Sequence, residues 1–255
     1  MSRFAIYPSL EGKSVFVTGG GSGIGAAIVA AFCEQKSKVA FCDIDREASE
    51  ATCARIRERG LPAPLFLECD LRDIPWLERV IARAARAHGP ITVLVNNAAR
   101  DDRHRLEDVT PEYWDERMAV NLRHQFFAAR AVFPMMKEAG GGAIINFGSV
   151  SWMLGMGGMP AYTTAKAAVA GLTRSLARDM GPYNIRVNSI APGWIMTERQ
   201  IKLWLTPEGE RELLARQCLK RKLQPEEIAR LCLFLAADDS SAVTSQTYIA
   251  DGGWV

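Results

Sequence analysis

Tyr162 and Lys166 could carry acid–base chemistry, because they stand four positions apart. In a helix, residues at i and i+4 share one face, so the Lys166 ammonium would lie near the Tyr162 phenol. A nearby positive charge favours phenolate, and we therefore expect the pKa of Tyr162 to lie below its usual value of about 10. Ser149 precedes Tyr162 by 13 residues and could hydrogen-bond the oxygen that Tyr162 titrates. Because this spacing also occurs by chance in many helices, and Ser149 could simply cap a turn, the elements around these residues decide the interpretation.

A glycine-rich turn at residues 18–25 could bind a phosphate. It reads Thr-Gly-Gly-Gly-Ser-Gly-Ile-Gly and joins an apolar, strand-like run at 15–17 to a helix-like run at 26–32. Glycines let a pyrophosphate approach the backbone, and a helix N-terminus offers unpaired N–H groups with partial positive charge. A flexible turn is the alternative, and the flanking strand and helix make it the weaker interpretation.

Asp43 ends the next apolar run and follows Gly25 by 18 residues. An acid about 20 residues after such a turn accepts hydrogen bonds from an adenosine ribose, and its charge repels a 2′-phosphate. The turn also carries Ser22 and no cation, so the sequence predicts NAD as the cofactor. Arg46 lies close enough to leave NADP open, and a helix cap is the alternative role for Asp43.

The rest of the chain alternates apolar strands with helices. Further strands are predicted at 38–43, 65–69, 91–95, 143–147, 185–190 and 246–250, and further helices at 45–59, 73–88, 111–138, 160–180 and 225–237. This alternation predicts an α/β fold, with a doubly wound, seven-stranded parallel sheet of the Rossmann type and helices on both faces. We expect residues 1–255 to form a single domain. Residues 194–222 break the alternation and are a candidate substrate lid or, alternatively, a plain surface excursion.

Composition narrows the function classes. The net charge of +2 gives no electrostatic case for a nucleic-acid partner. The six cysteines form no CxxC pair and the three histidines show no ligand spacing, so we expect no metal site. No apolar run approaches the ~20 residues of a membrane span, and residues 1–10 lack a signal-peptide segment. We therefore expect no membrane association and a cytoplasmic location.

Taken in order, these motifs resemble the short-chain dehydrogenase/reductase family, from about residue 11 to residue 255. The matching positions are Thr18, Gly19, Gly23 and Gly25 of the turn, Asp43, Asp70, Leu71, Asn96, Asn97, Ala98, Ala99, Asn121, Ser149, Tyr162, Lys166, Pro192, Gly193 and Thr197. Ala99 departs from the usual glycine of the family, and we expect only a small packing change from it. The resemblance implies hydride transfer between an alcohol carbon and a nicotinamide cofactor, and an assembly of several identical subunits, usually a tetramer.

The same resemblance assigns roles to individual residues. Tyr162 would act as the general base, Ser149 would hold the substrate oxygen, and Asn121 would hold a water that relays a proton from Lys166. These four residues are the implied catalytic set. The implied cofactor contacts are Gly19, Ser22, Gly23, Ile24, Asp43, Asp70, Leu71, Asn97, Ala98, Tyr162, Lys166, Pro192, Ile195 and Thr197.

Within this family, the chain resembles the bacterial NAD-dependent aldose 1-dehydrogenases, above all those that act on D-xylose. The segments that carry this likeness are 5–10, 101–104, 113–117, 121–124, 145–152, 206–210 and 217–220. The likeness implies oxidation of the anomeric hydroxyl of a pentose or hexose to a lactone.

The expected substrate contacts combine catalytic and aromatic residues. They are Ser149, Ser151, Trp152, Tyr162 and Trp194. Trp152 follows Ser149 by three residues and could offer an apolar face to a sugar ring, although it could equally be a core residue. The polar cluster Asp101, Asp102, Arg103 and His104 could bind hydroxyl groups, or could be a solvated loop or subunit contact.

Two other functions stay open at this point. The chain could be an NAD(P)-dependent dehydrogenase or reductase of another secondary alcohol or ketone, including a 3-ketoacyl thioester, because the fold serves many substrates. It could also bind NAD without turnover, as a sensor or scaffold. Proteins of that kind usually lose the tyrosine or the lysine of the motif, whereas this chain keeps both.

Overall fold

A computed structural model describes residues 4–255 and shows a seven-stranded parallel sheet in the order β3-β2-β1-β4-β5-β6-β7. The strands are β1 (Ser14–Thr18), β2 (Lys38–Asp43), β3 (Leu65–Glu68), β4 (Val93–Asn96), β5 (Gly142–Phe147), β6 (Ile185–Pro192) and β7 (Thr247–Ala250). This confirms the predicted doubly wound fold. Residues 1–3 of the predicted domain lie outside the described residues.

Nine α-helices connect and follow the strands within residues 4–255. They are α1 (Gly23–Glu34), α2 (Arg46–Glu58), α3 (Ile74–His88), α4 (Pro111–Met118), α5 (His124–Glu138), α6 (Pro160–Met180), α7 (Glu198–Leu203), α8 (Pro207–Arg216) and α9 (Pro225–Ala236). None of the helices in this part of the chain combines the length and apolarity that a bilayer span requires.

Side-chain alternation along the strands divides the core into two layers. On one face, Val15, Val17 and Ile145 pack with side chains of α1, α2 and α9. On the other face, Phe16 and Ile144 pack with α3, α5 and α6. Because successive side chains of a strand point to opposite faces, a sheet buried on both sides reads as a continuous apolar run in the sequence.

The helix predicted at 111–138 is not one regular helix. Residues Ala119–Arg123 form a π-helical segment between α4 and α5. A π segment inserts a residue into the helical ladder and shifts the side chains that follow it, and such segments are frequent at functional sites. Asn121, one of the implied catalytic residues, lies within it.

The strand order reverses at β1, which pairs with β2 on one side and β4 on the other. The chain leaving β1 therefore enters a crevice at the carboxyl edge of the sheet, where ligands bind in open α/β folds. A Cβ atom added to Gly25 at the start of α1 would lie 1.8 Å from the Gly19 carbonyl oxygen. Only glycine allows α1 to start this close to β1.

We expect Gly25→Ala to lower the free energy of unfolding by about 1–3 kcal/mol, because the added methyl group displaces backbone atoms rather than a flexible side chain. Urea unfolding measures this change. Gly181→Ala is the matched control, because Gly181 has a right-handed helical backbone and open space at its Cβ position. Equal stability of the two variants would contradict the close approach.

Candidate active site

A cavity of about 1310 Å³ opens at the carboxyl edge of the sheet. The glycine turn borders one end of it, with Gly19 and Gly23 at φ angles of 70° and 54°. Ser22 precedes α1 in extended conformation, and its side chain makes no capping hydrogen bond to the helix. The first N–H groups of α1 therefore stay available to an anion in the cavity.

Asp43 borders the same end of the cavity and is held by backbone groups. Its Oδ2 accepts the N–H of Gly21 at 2.8 Å, and its Oδ1 accepts the N–H of Asp45 at 3.0 Å. The carboxylate thus has a fixed orientation and spare acceptor capacity for ribose hydroxyls. The nearby Arg46 is engaged by two carboxylates, those of Glu50 and Glu68.

The predicted adenosine contacts line the wall beyond Asp43. The Asn97 side-chain amide donates to the carbonyls of Thr18 at 3.1 Å and Gly19 at 2.9 Å, and so ties the glycine turn to the end of β4. The Ala98 N–H donates to Thr18 Oγ1 at 3.2 Å. Asp70 forms a side-chain ion pair with Arg72, which lowers the pKa of Asp70. Leu71 and Ile24 line the same cavity.

The acid–base residues meet where β5 ends. Ser149 follows this strand, and its hydroxyl lies close enough to the Tyr162 phenol, in the first turn of α6, to favour the phenolate. The Ser149 Oγ also accepts the Ser151 N–H at 3.2 Å. Lys166, one turn after Tyr162, is only 1% exposed and donates from Nζ to the Phe147 carbonyl at 2.7 Å. The predicted i, i+4 pair therefore lies on one face of α6.

The pKa of Tyr162 differs from the one expected from the sequence. Burial, and secondarily the charge of Asp101, raise the pKa of Tyr162 to about 12, although the Ser149 hydroxyl and the Arg103 charge oppose this shift. Burial lowers the pKa of Lys166 to about 7. The expected pKa decrease was wrong for the chain alone, because burial outweighs the groups that favour phenolate. The Lys166 Nζ lies 5.8 Å from the Tyr162 ring centre and donates to a carbonyl.

Asn121 is fully buried, and its side chain serves the backbone around it. Its Oδ1 accepts the Arg100 N–H at 2.8 Å, and its Nδ2 donates to the Arg117 carbonyl at 3.0 Å. Its main-chain carbonyl accepts a hydrogen bond from Gln125 at 3.2 Å. The side chain thus fixes the π segment to the loop after β4, and Asn121 is not among the residues that line the cavity.

The segment after β6 covers the cavity from the other side. Pro192, Ile195 and Thr197 line it, and Thr197 lies against the glycine turn, with its Cγ2 3.1 Å from a Cβ built on Gly23. Thr197 also caps α7 by accepting the Gln200 N–H at 3.2 Å. The residues predicted to contact a nicotinamide therefore line the same cavity as the glycine turn and Tyr162.

The predicted substrate residues divide into two groups. Ser151 and Trp194 line the cavity, whereas Trp152 does not: it ends a short 3-10 turn with a side chain that is 40% exposed. The structure brings other indoles to the cavity instead, those of Trp204 and Trp254. Their aromatic character could have identified these two residues as candidate substrate contacts, but both are far from Ser149 along the chain.

The polar cluster after β4 contributes two residues to the cavity, Asp101 and Arg103. Asp102 instead pairs with the guanidinium groups of Arg117 at 2.7 Å and Arg199 at 2.9 Å. His104 lies outside the cavity wall and shares a hydrogen bond of 3.0 Å with the Tyr113 hydroxyl. The cluster is therefore neither a purely solvated loop nor wholly part of the site.

Comparisons with known proteins agree with the fold and the site described above. The family model described as enoyl-(acyl carrier protein) reductase matches residues 19–255. The chain is 52% identical over 250 residues to the D-xylose 1-dehydrogenase of Caulobacter vibrioides, with 98% of both chains covered.

The chain belongs to the short-chain dehydrogenase/reductase family.

Other relatives in this family span its substrate range. A protein of Rhizobium meliloti described as a probable galactose dehydrogenase is 52% identical over 247 residues, covering 97% of this chain and 96% of the relative. The 3-oxoacyl-[acyl-carrier-protein] reductase of Thermotoga maritima is 38% identical, with 96% and 99% covered. The crystal structure of the corresponding Brucella melitensis reductase superimposes with a TM-score of 0.91 at 31% identity, covering 100% of this chain and 98% of that one. Short-chain dehydrogenases use nicotinamide cofactors, and the cavity offers the cradle that such a cofactor requires.

The buried Lys166 predicts a pH dependence of stability. An unfolded lysine keeps its proton up to about pH 10.5, whereas folded Lys166 loses it near pH 7. Between these values the unfolded state binds more protons, so raising the pH stabilises the fold by up to ~1.4 kcal/mol per pH unit.

We expect Lys166→Met to remove this slope, as measured by urea unfolding between pH 7 and 10. The control is Lys202→Met, since Lys202 is exposed on α7 and its loss should leave the slope unchanged. Parallel curves for wild type and Lys166→Met would show that burial does not penalise the Lys166 charge.

Proposed function

We propose that this protein oxidises the anomeric hydroxyl of an aldose, a pentose or a hexose, to the aldonolactone with NAD as hydride acceptor. The observation that carries the proposal is the 52% identity to a D-xylose 1-dehydrogenase along 98% of both chains. The site supports it, because the Ser149–Tyr162 pair faces a cavity end lined by the polar side chains of Asp101, Arg103 and Gln200.

In the proposed mechanism, Tyr162 removes the proton from the substrate hydroxyl while Ser149 hydrogen-bonds the same oxygen. Ionisation of the phenol is disfavoured in the chain alone, since burial raises the pKa of Tyr162 to about 12. A nicotinamide ring supplies the hydride-accepting carbon and, in its oxidised form, a positive charge that favours phenolate. The pyrophosphate of the cofactor would be held by the glycine turn, through Gly19, Ser22, Gly23 and Ile24.

The remaining family roles are proposals of the same kind. Lys166 would hold the nicotinamide ribose, and Asn121 would hold a water that relays a proton from Lys166 to solvent. Asp70, Leu71, Asn97 and Ala98 would contact the adenosine, and Pro192, Ile195 and Thr197 the nicotinamide.

Residues 194–222 contribute Trp194 and Trp204 to the cavity wall, and we propose that this segment forms a substrate lid. Trp194 lines the cavity, and its Nε1 donates to Gln200 Oε1 at 2.9 Å, which joins the strand end to α7. Trp204 lines the same end. A homotetramer, a cytoplasmic location and a single domain stay predictions.

A reductase acting on a 3-oxoacyl thioester is the second candidate, favoured by the fold match to the Brucella enzyme. That relative is 31% identical, against 52% for the sugar dehydrogenase. An acyl chain is apolar and would leave charged groups at the cavity end without partners, which costs free energy.

Turnover of a sugar panel tests the proposed function. We expect the purified protein to form NADH with one or two aldoses among pentoses, hexoses and deoxy sugars. Tyr162→Phe should retain less than about a thousandth of the rate, because it removes the proposed base. Reduction of 3-oxoacyl thioesters, with no aldose turned over, would overturn the proposal in favour of the second candidate.

The preference for NAD over NADP tests the role proposed for Asp43. NAD is favoured because the Asp43 carboxylate faces the cavity and Arg46 is engaged by Glu50 and Glu68. We expect Asp43→Ala to raise the KM for NAD about 10-fold or more, the effect of losing a hydrogen bond to a charged group, and to narrow the gap to NADP.

The matched control for this measurement is Glu47→Ala, an exposed acid in the first turn of α2. It should leave the NAD to NADP ratio of kcat/KM unchanged. An unchanged ratio in Asp43→Ala as well would contradict the ribose assignment.

A further inference from the structure

Arg103 faces the cavity with its guanidinium largely unpartnered. Its NH1 contacts the Met159 sulfur at 2.9 Å, and its Cζ lies 5.1 Å from the Trp204 ring centre. Within residues 4–255 it forms no ion pair; burial lowers its pKa, and the charge of Asp101 opposes this shift. A guanidinium carries five N–H donors and a thioether is a weak acceptor, so most of these donors await an oxygen.

Asp101 faces the same space and retains acceptor capacity. Its Oδ2 accepts the Gln200 Nε2 at 2.7 Å, and its Oδ1 lies 3.5 Å from the Arg199 Nε. The Asp101 side chain is 18% exposed, and its direction is fixed by the bond to Gln200. Asp101 and Arg103 act in opposite directions on the pKa of Tyr162, so both lie near the reacting end of the cavity.

Two further polar atoms at the cavity wall lack partners. The indole Nε1 of Trp204 and the hydroxyl of Ser151 are buried and make no hydrogen bond within the described residues. Both residues line the cavity, although these two atoms are themselves closed to solvent. Buried polar groups are nearly always paired in folded proteins, and a small side-chain shift on ligand binding would bring these atoms to a polar partner.

We propose that Asp101, Arg103 and Trp204 form a distal subsite that binds sugar hydroxyl groups beyond the reacting carbon. This inference rests on the proposed function and names the residues that select its substrate. A hydroxyl group both donates and accepts, so it can donate to Asp101 while it accepts from Arg103 or Trp204.

The charges of the distal subsite favour a neutral ligand. An anionic ligand, such as a sugar acid or sugar phosphate, would meet Arg103 but also the Asp101 carboxylate. An acyl chain would leave the Arg103 guanidinium without an oxygen partner, whereas Asp101 would keep its contacts with Gln200 and Arg199. A neutral polyhydroxylated ring serves both residues, and the Trp204 indole provides an apolar face beside them.

The subsite is tested by comparing kcat/KM of wild type and Arg103→Met with an aldose and with its deoxy analogues. The substitution keeps an unbranched apolar side chain and removes the guanidinium. With the best aldose, we expect kcat/KM to fall roughly 10- to 100-fold, the range for a hydrogen bond to a charged group. With the one deoxy analogue that lacks the bound hydroxyl, the variant should differ from wild type by less than about twofold, since the contact is already absent.

Two control variants separate a lost contact from a disturbed fold. Arg105→Met changes an exposed arginine of the same loop, paired with Glu107, and should leave every ratio unchanged. Trp204→Phe keeps a ring beneath the guanidinium but removes the N–H, and should raise KM for the full sugar more than for its deoxy analogue. If Arg103→Met lost equally in kcat/KM with the full sugar and every deoxy analogue, the distal subsite would be disproved.

Failure of the proposed function gives a different result. If wild type with NAD oxidises no aldose, the tryptophan fluorescence of the protein with NADH is titrated with D-xylose and D-galactose. A change that disappears in Arg103→Met but persists in Arg105→Met would retain the distal subsite while the proposed oxidation fails. No change in wild type would overturn both.

Discussion

The hydrogen bond from Lys166 Nζ to the Phe147 carbonyl, 2.7 Å long and closed to solvent, is the constraint on which the site depends. It fastens α6 to the end of β5, and thereby places Tyr162, one turn earlier, against Ser149 just beyond the same strand. An ammonium removed from water is costly, and a single carbonyl offsets only part of that cost. The lowered pKa of Lys166 is the consequence, so a group that structurally joins two elements can also change its protonation near neutral pH.

A second constraint is the reversal of strand order at β1, which opens the crevice. Two loops cross it from opposite sides. Asp101 after β4 accepts from Gln200 of α7 at 2.7 Å, and Asp102 pairs with Arg199 of the same helix. These contacts tie the polar cluster to the segment after β6 above the substrate end. At the other end of the cavity, Asn97 hydrogen-bonds the glycine turn and Thr197 lies against it.

Sequence patterns predicted the sheet and the bounds of α6 well, because doubly buried strands read as apolar runs and Pro160 and Gly181 mark the ends of that helix. The π segment at Asn121 was missed, since an extra residue in one turn leaves no signature in composition. Trp152 was chosen for its nearness to Ser149 along the chain, but the 3-10 turn directs it outward. The pKa of Tyr162 depends on burial, which spacing alone does not reveal.

Substrate choice must reside in side chains, because the backbone is shared across chemistries. A 3-oxoacyl reductase superimposes on the whole chain with a TM-score of 0.91, so neither the sheet nor the crevice separates an acyl thioester from a sugar. Under the proposed function, the difference between them lies at the cavity end near Tyr162. Arg103 and Asp101 stand there with opposite charges and no ion pair between them within the described residues. Hydroxyl groups brought to this pair would give the Arg103 guanidinium oxygen acceptors and would use the remaining acceptor capacity of Asp101, whereas an apolar chain would leave the guanidinium without such partners.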